Sequence, residues 1–184
     1  MWWSGRAVVA ALVLGCTEVA CLASPPTSDA RQEAARLAEL PAVVPHGRWI
    51  DHSGRKQKGR ASYYAHHFDH RKMANGQRFN PNTNVAASKT LPFGTTARVT
   101  NLRNGKSAMV RVEDRGPWVD GRVVDVTPKV AGELGIREAG VAPVVVAPVA
   151  VPQKNGEVKL GAGAADASPQ EVEQATAEAE AGTR

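Results

Sequence analysis

A chain of 184 residues, with 23 Lys and Arg against 18 Asp and Glu, has room for one domain and its flanking segments. Both cysteines, Cys16 and Cys21, lie near the start, which excludes a disulfide framework or a cysteine metal site from everything that follows. The positive charge sits in 59–139, with thirteen Lys and Arg against seven Asp and Glu, whereas 152–184 holds three against six.

The opening "MWWSGRAVVAALVLGC" places Arg6 ahead of an apolar run from Ala7 to Leu14, followed by Gly15 and Cys16. That is the layout of a secretory signal. The run is too short to span a bilayer, which takes about 20 residues. "VLGC" resembles a bacterial lipobox, which implies lipidation of Cys16 after removal of a signal at 1–15. The competing cut follows Ala23 and would release a soluble protein. Lipidation would tether the chain to a membrane surface without threading it through.

Residues 16–58 read as a linker. It is punctuated by Pro25, Pro26, Pro41 and Pro45 and carries one helical stretch, "SDARQEAARLAEL", capped by Ser28. From 59 to 151 the chain changes to short β-rich runs: "RASYYA", "TTARVTNL", "SAMVRVED", "RVVDVT" and "VAPVVVAPV". The Asn104-Gly105 pair predicts a tight hairpin turn with positive φ at both positions. "TPKVAGELGI" predicts a short helix ended by Gly135. Many short strands with one or two short helices define a mostly β fold, a small barrel. Residues 152–184 hold few bulky apolar side chains and are expected to form a disordered tail.

A basic domain invites a nucleic-acid reading. The export signal opposes it, and so does the scatter of Phe79, Phe93 and Trp118, which offers no stacking platform. Acidic envelope polymers suit the charge better.

"GRASYYA", "RKMANGQRFN", "AASKTLPFGTTARVTNLRNGKSAMVRVEDRGPWVDGRVVDVT" and "AGELG" together resemble the double-psi β-barrel of the rare lipoprotein A (RlpA) family of lytic transglycosylases. The resemblance covers nearly all of 59–148, and an N-terminal lipidation signal fits the same family. It implies a six-stranded double-psi barrel acting as a monomer, without cofactor or metal, on peptidoglycan at the bacterial envelope. The chain would be lipid-anchored and face the periplasm, or else soluble or secreted. The implied reaction cleaves between N-acetylmuramic acid and N-acetylglucosamine, with the muramic 6-hydroxyl closing on its own anomeric carbon to leave a 1,6-anhydro end. A hydrolase needs two carboxylates. Here the nucleophile belongs to the substrate, so one carboxyl group can serve as acid and then base.

Asp114 in "RVEDRGPW" matches the family's catalytic aspartate, although a turn-capping role through the amides of Arg115 and Gly116 is also open to it. Glu113 is expected to face the opposite side. Two further site positions depart from the family: Gln77 stands where it has a glutamate, and Ser88 where it has a histidine. The glutamate would hold a proton on its neighbour by like-charge repulsion, and Gln77 removes that charge. Weakened activity displaced to lower pH is therefore expected, or a cleft that only binds glycan in the manner of expansin-like barrels. Candidate sugar contacts are Tyr64, Asn75, Lys89, Arg115 and Trp118, with core packing as the competing role for Tyr64. Asp125 reads as a brace. His66, His67 and His70 lie close to the Asn75-Gly76 turn and read as surface loop residues, not metal ligands.

Overall fold

The computed structural model describes residues 28–39 and 49–181. The expected signal, Cys16, Cys21, the cut after Ala23 and Pro41 and Pro45 lie outside them. No described helix is long and apolar enough to cross a membrane.

Among the described residues seven strands follow one another: β1 (Gln57–Tyr63), β2 (Val85–Ser88), β3 (Thr96–Asn101), β4 (Ser107–Asp114), β5 (Arg122–Val126), β6 (Ala142–Pro152) and β7 (Val158–Leu160). The order across the sheet is β1-β5-β2-β4-β3-β6-β7, and an additional β1–β6 pairing closes the first six into a barrel. Two strand pairs are parallel, β1 with β5 and β2 with β4, and the other pairs are antiparallel. Closure leaves no free edge among the six.

Valine is the commonest residue of the interior. Val99, Val110, Val112, Val124, Val126, Val144 and Val146 meet there, and helix α2 (Pro128–Leu134) closes one side with Val130, Ala131 and Leu134. Branched side chains suit a strand wall, and each fully buried one contributes about 1.5–3 kcal/mol. Gly135 ends α2 at φ 66, as the sequence predicts, and Thr127 caps its start through its hydroxyl.

Strand β2 is absent from the sequence-based reading. Its residues Val85, Ala86, Ala87 and Ser88 are all buried, so the two-residue alternation that marks a half-exposed strand is missing. The β3–β4 hairpin also differs from expectation. Only Gly105 has positive φ (72°), while the Asn104 amide donates to the Leu134 carbonyl at 3.1 Å and its Oδ1 accepts from the Lys106 amide at 3.0 Å. The wider loop lets Asn104 fasten the hairpin to the end of α2.

The segment expected to be linker is engaged before residue 59. Within it, α1 (Ser28–Glu39) buries Ala34 and Leu37. The Asp51 amide donates to the Thr90 carbonyl at 2.7 Å, and Gln57 is 2% exposed with its amide on Thr90 Oγ1.

The expected disordered tail is the main correction. Beyond β6 the chain adds β7 and then helix α3 (Pro169–Ala181), which buries Ala175 and Ala179 against Val149 and Ala150. The composition argument fails because alanines suffice where the surface they meet is already apolar and close. Gly161 and Gly163 allow that approach: a Cβ at either would lie 2.3–2.4 Å from a β6 carbonyl oxygen. The Gly161 amide reaches the Val149 carbonyl, and the Gly163 amide that of Pro148. Among the described residues the α-helices are therefore three.

Candidate active site

Asp114 is the last residue of β4, and it pairs with Ala87 of the parallel strand β2. Parallel pairing brings the C-terminal ends of both strands to the same barrel end, so Ser88 and Asp114 share it. A register shift between Ala86 and Ala87 leaves Glu113 as the extra residue.

Three donors converge on the Asp114 carboxylate. The Tyr64 hydroxyl bonds Oδ2 at 2.7 Å, and the amides of Ala74 and Arg115 both bond Oδ1 at 2.8 Å. The turn-capping role is thus real for the Arg115 amide, with Ala74 in place of Gly116. A carboxylate presents about four lone-pair sites, so roughly one is left for a substrate oxygen.

Tyr64 is held by its own neighbours. Its ring meets Phe68 edge-on at 5.5 Å and Phe79 at 4.5 Å, beside a small cluster of Met73, Phe79 and Val85. Burial, and then the hydrogen bond and charge of Asp114, push the phenol above its ordinary range. The competing role, core packing with a satisfied hydroxyl, describes it, and the satisfying partner is the site carboxylate.

The 72–78 turn is clipped to the end of β4. The Asn75 amide donates to the Glu113 carbonyl at 3.3 Å and its Nδ2 to Glu113 Oε2 at 3.4 Å, while its Oδ1 accepts from the Gln77 amide at 2.9 Å. Glu113 is ion-paired with Arg111, 3.4 Å off. Gln77 is exposed and faces a groove shared with Glu113. Among the described residues it makes no hydrogen bond to Asp114.

Ser88 is 1% exposed, and its Oγ accepts from the amides of Thr90 (3.4 Å) and Leu91 (3.2 Å). It closes a tight turn and has no open path to a sugar. Arg115 is similarly engaged: Nη1 donates to the carbonyls of Ser88 (3.1 Å) and Leu91 (2.9 Å), and the guanidinium lies 3.6 Å over the Phe93 ring. Burial lowers its pKa, and Asp114 opposes that shift. Lys89 reaches the Val119 carbonyl at 3.3 Å and so anchors the loop that presents Trp118, which is 77% exposed.

Asp125 accepts from Ser62 Oγ at 2.6 Å and from Arg122 at 2.6 Å, bracing β5 against β1. His66 is 3.8 Å from Asp69 and His67 packs on Phe68. No histidine is among the groups bonded to Asp114. Among the described residues, no group of three or more His, Cys, Asp or Glu is placed to hold a metal ion.

A closed barrel with two parallel strand pairs, carrying the hydrogen-bonded Asp114 carboxylate at one end, defines a double-psi β-barrel. Residues 56–146 match the family model described as lytic transglycolase. The chain is 53% identical over 83 residues to a probable endolytic peptidoglycan transglycosylase RlpA of Synechocystis sp., a match covering 45% of this chain and 26% of that protein. It is 46% identical over 89 residues to the endolytic peptidoglycan transglycosylase RlpA of Pasteurella multocida, covering 48% and 30%. Over 56–146, just under half of the chain, the barrel thus matches the lytic transglycolase family, and the relatives it resembles there are named RlpA. The chain spans between a quarter and a third of the length of these curated relatives. Among solved structures, the Streptomyces papain inhibitor is similar at 21% identity with a TM-score of 0.41, over 51% of this chain and 94% of that one.

Proposed function

We propose that the barrel is a peptidoglycan lytic transglycosylase that cuts between N-acetylmuramic acid and N-acetylglucosamine and leaves a 1,6-anhydro end. The observation that carries this reading is the Asp114 carboxyl group, fixed by three donors at the end of β4 with an acceptor site to spare. In its protonated form Asp114 delivers the proton to the leaving glycosidic oxygen. As the carboxylate it then accepts the proton of the muramic 6-hydroxyl, whose oxygen closes on the anomeric carbon. The nucleophile is intramolecular, so no second carboxylate is required. Trp118 is exposed beside the site and offers a face for sugar C–H groups.

Activity is attenuated in this reading, because Gln77 carries no charge and Ser88 is enclosed. A second reading, glycan binding without cleavage, is favoured by the commitment of the Ser88 hydroxyl oxygen to backbone amides. Incubating the protein with peptide-free glycan strands and looking for 1,6-anhydromuramyl ends by mass spectrometry separates the two. Turnover above an Asp114→Asn control is the expected result; its absence leaves only binding. Anchoring through a lipid on Cys16 at the envelope belongs to the same proposal, and palmitate labelling that is lost in Cys16→Ala tests it.

A further inference from the structure

Residues 65–79 form a ribbon whose outer side chains the proposed reaction does not use. A one-turn 3-10 helix (His66–Phe68) opens it, and His70 follows at φ 61, in the left-handed region. The two arms then pair. The His70 amide donates to the Phe79 carbonyl at 3.1 Å, the Phe79 amide to the Arg71 carbonyl at 2.8 Å and the Met73 amide to the Gln77 carbonyl at 2.8 Å, with Lys72 opposite Arg78. Met73 and Phe79 are buried against Val85 and hold the ribbon to the barrel.

Charge concentrates on its outer side. The segment holds Arg71, Lys72, Arg78 and three histidines against a single acid, Asp69. The three cations and His66, His67 and His70 are all exposed. Asp69 faces His66 at 3.8 Å, and among the described residues none of the three cations is ion-paired. Lys56, Arg98, Arg111 and Arg122, by contrast, each meet a carboxylate. Arg78 uses Nη1 on the His70 carbonyl at 3.0 Å. Phe68 is exposed among these groups, with the His67 ring 4.1 Å away and the Arg71 guanidinium 5.9 Å from its centre.

Guanidinium and ammonium groups without partners suit phosphate oxygens. An aromatic ring among cations suits the boundary between headgroups and acyl chains. Four consecutive exposed residues, 65–68, make a projecting edge, which meets a flat surface more readily than it encloses a polymer. We infer that the 65–79 ribbon docks on an anionic phospholipid surface, with Arg71, Lys72 and Arg78 on the phosphates and Phe68 at headgroup level. The contact needs no acyl chain on Cys16 and does not rest on the proposed reaction. Its consequence reaches the site: the Ala74 amide of the same ribbon bonds Asp114 at 2.8 Å, so docking turns the Asp114 end of the barrel toward the lipid.

The test sediments the full chain carrying Cys16→Ala with vesicles of phosphatidylcholine alone and of phosphatidylcholine mixed with phosphatidylglycerol. The apolar run at 7–14 is common to every arm, so substitutions isolate the ribbon. Binding to the anionic vesicles should exceed that to the neutral ones, and high salt should erase the excess. Arg71→Gln and Lys72→Gln, both at exposed positions, should each cut the excess about fivefold. Lys154→Gln removes the same charge from the exposed turn between β6 and β7 and should leave it unchanged. An equal loss in Lys154→Gln would mean attraction by net charge alone and overturns the inference. So does an unchanged preference in both ribbon variants, or equally ribbon-dependent retention by soluble polyphosphate, which would assign a polymeric partner. None of these readouts uses turnover, so failure here leaves the anhydro-end experiment to stand or fall separately.

Discussion

The Tyr64 hydroxyl donates a 2.7 Å hydrogen bond to Oδ2 of Asp114, joining residues 50 positions apart in the chain. It fastens the segment after β1 to the end of β4 and fixes the direction in which the site carboxylate points. Tyr64 thereby positions the acid.

Tyr64→Phe should lower kcat about tenfold with little change in KM, the loss of one charge-assisted hydrogen bond. Stability should fall by about 1 kcal/mol or less, since water can reach the half-buried carboxylate. Alkaline pH tests whether the phenol is buried and bonded to Asp114 as a protonated group. The Tyr64 pKa is raised from 10.0 by burial and by Asp114. Its contribution to stability is therefore complete below pH 10 and declines as pH rises further, because the unfolded phenol ionises first. Alkaline unfolding should be shallower in Tyr64→Phe than in the parent; matching curves would sink the assignment.

Restoring the family's residues should give unequal results. Gln77 is exposed, so Gln77→Glu should fold normally and raise turnover severalfold by returning an acid to the barrel end. Ser88 is 1% exposed and its Oγ accepts two backbone amides. Ser88→His must overpack that turn and should cost about 1–3 kcal/mol, read as a lowered Tm. An unchanged Tm would mean that the turn at 88–91 opens more readily than its hydrogen bonds indicate.

Attachment of α3 should depend on acid. Glu171 is held below its ordinary 4.5 by the backbone amide of Ser168, then by the Ser168 hydroxyl, with Arg98 adding to it. A lowered carboxyl pKa contributes stability that is present above the unfolded value and lost as pH falls through the folded one. Hydrogen exchange across 169–181 should therefore speed up below about pH 4 while the barrel strands stay protected. Glu171→Gln should remove most of that dependence, and equal protection at all pH values would refute it.

The Ser168-Pro169-Gln170-Glu171 run was a readable helix start. A capping serine, a proline at the first helical position and a glutamate at the third form a capping box, and the Ser168 hydroxyl and amide both donate to Glu171 Oε2 at 2.9 and 2.8 Å. The sequence-based reading of 152–184 rested on the scarcity of bulky apolar residues alone and did not use this signal. Strand β2 had no such signal: four buried residues between two strands show neither alternation nor turn chemistry. Glu113 and Asp114 were separable in sequence only through the motif, because the register shift at Glu113 interrupts the alternation along β4.

By itself the sequence determined the strand-rich barrel, the α2 helix with its Gly135 ending, the position of Asp114, and the departures at Gln77 and Ser88. These rest on local chemistry and motif order, which need no knowledge of distant neighbours. Only the tertiary structure decided that Tyr64 serves Asp114, that Arg115 is committed to the carbonyls of Ser88 and Leu91, and that an alanine-lined helix covers Thr96 and Arg111. Each of those pairs residues far apart in the chain, and their meeting depends on the strand register and the barrel closure that no local pattern encodes.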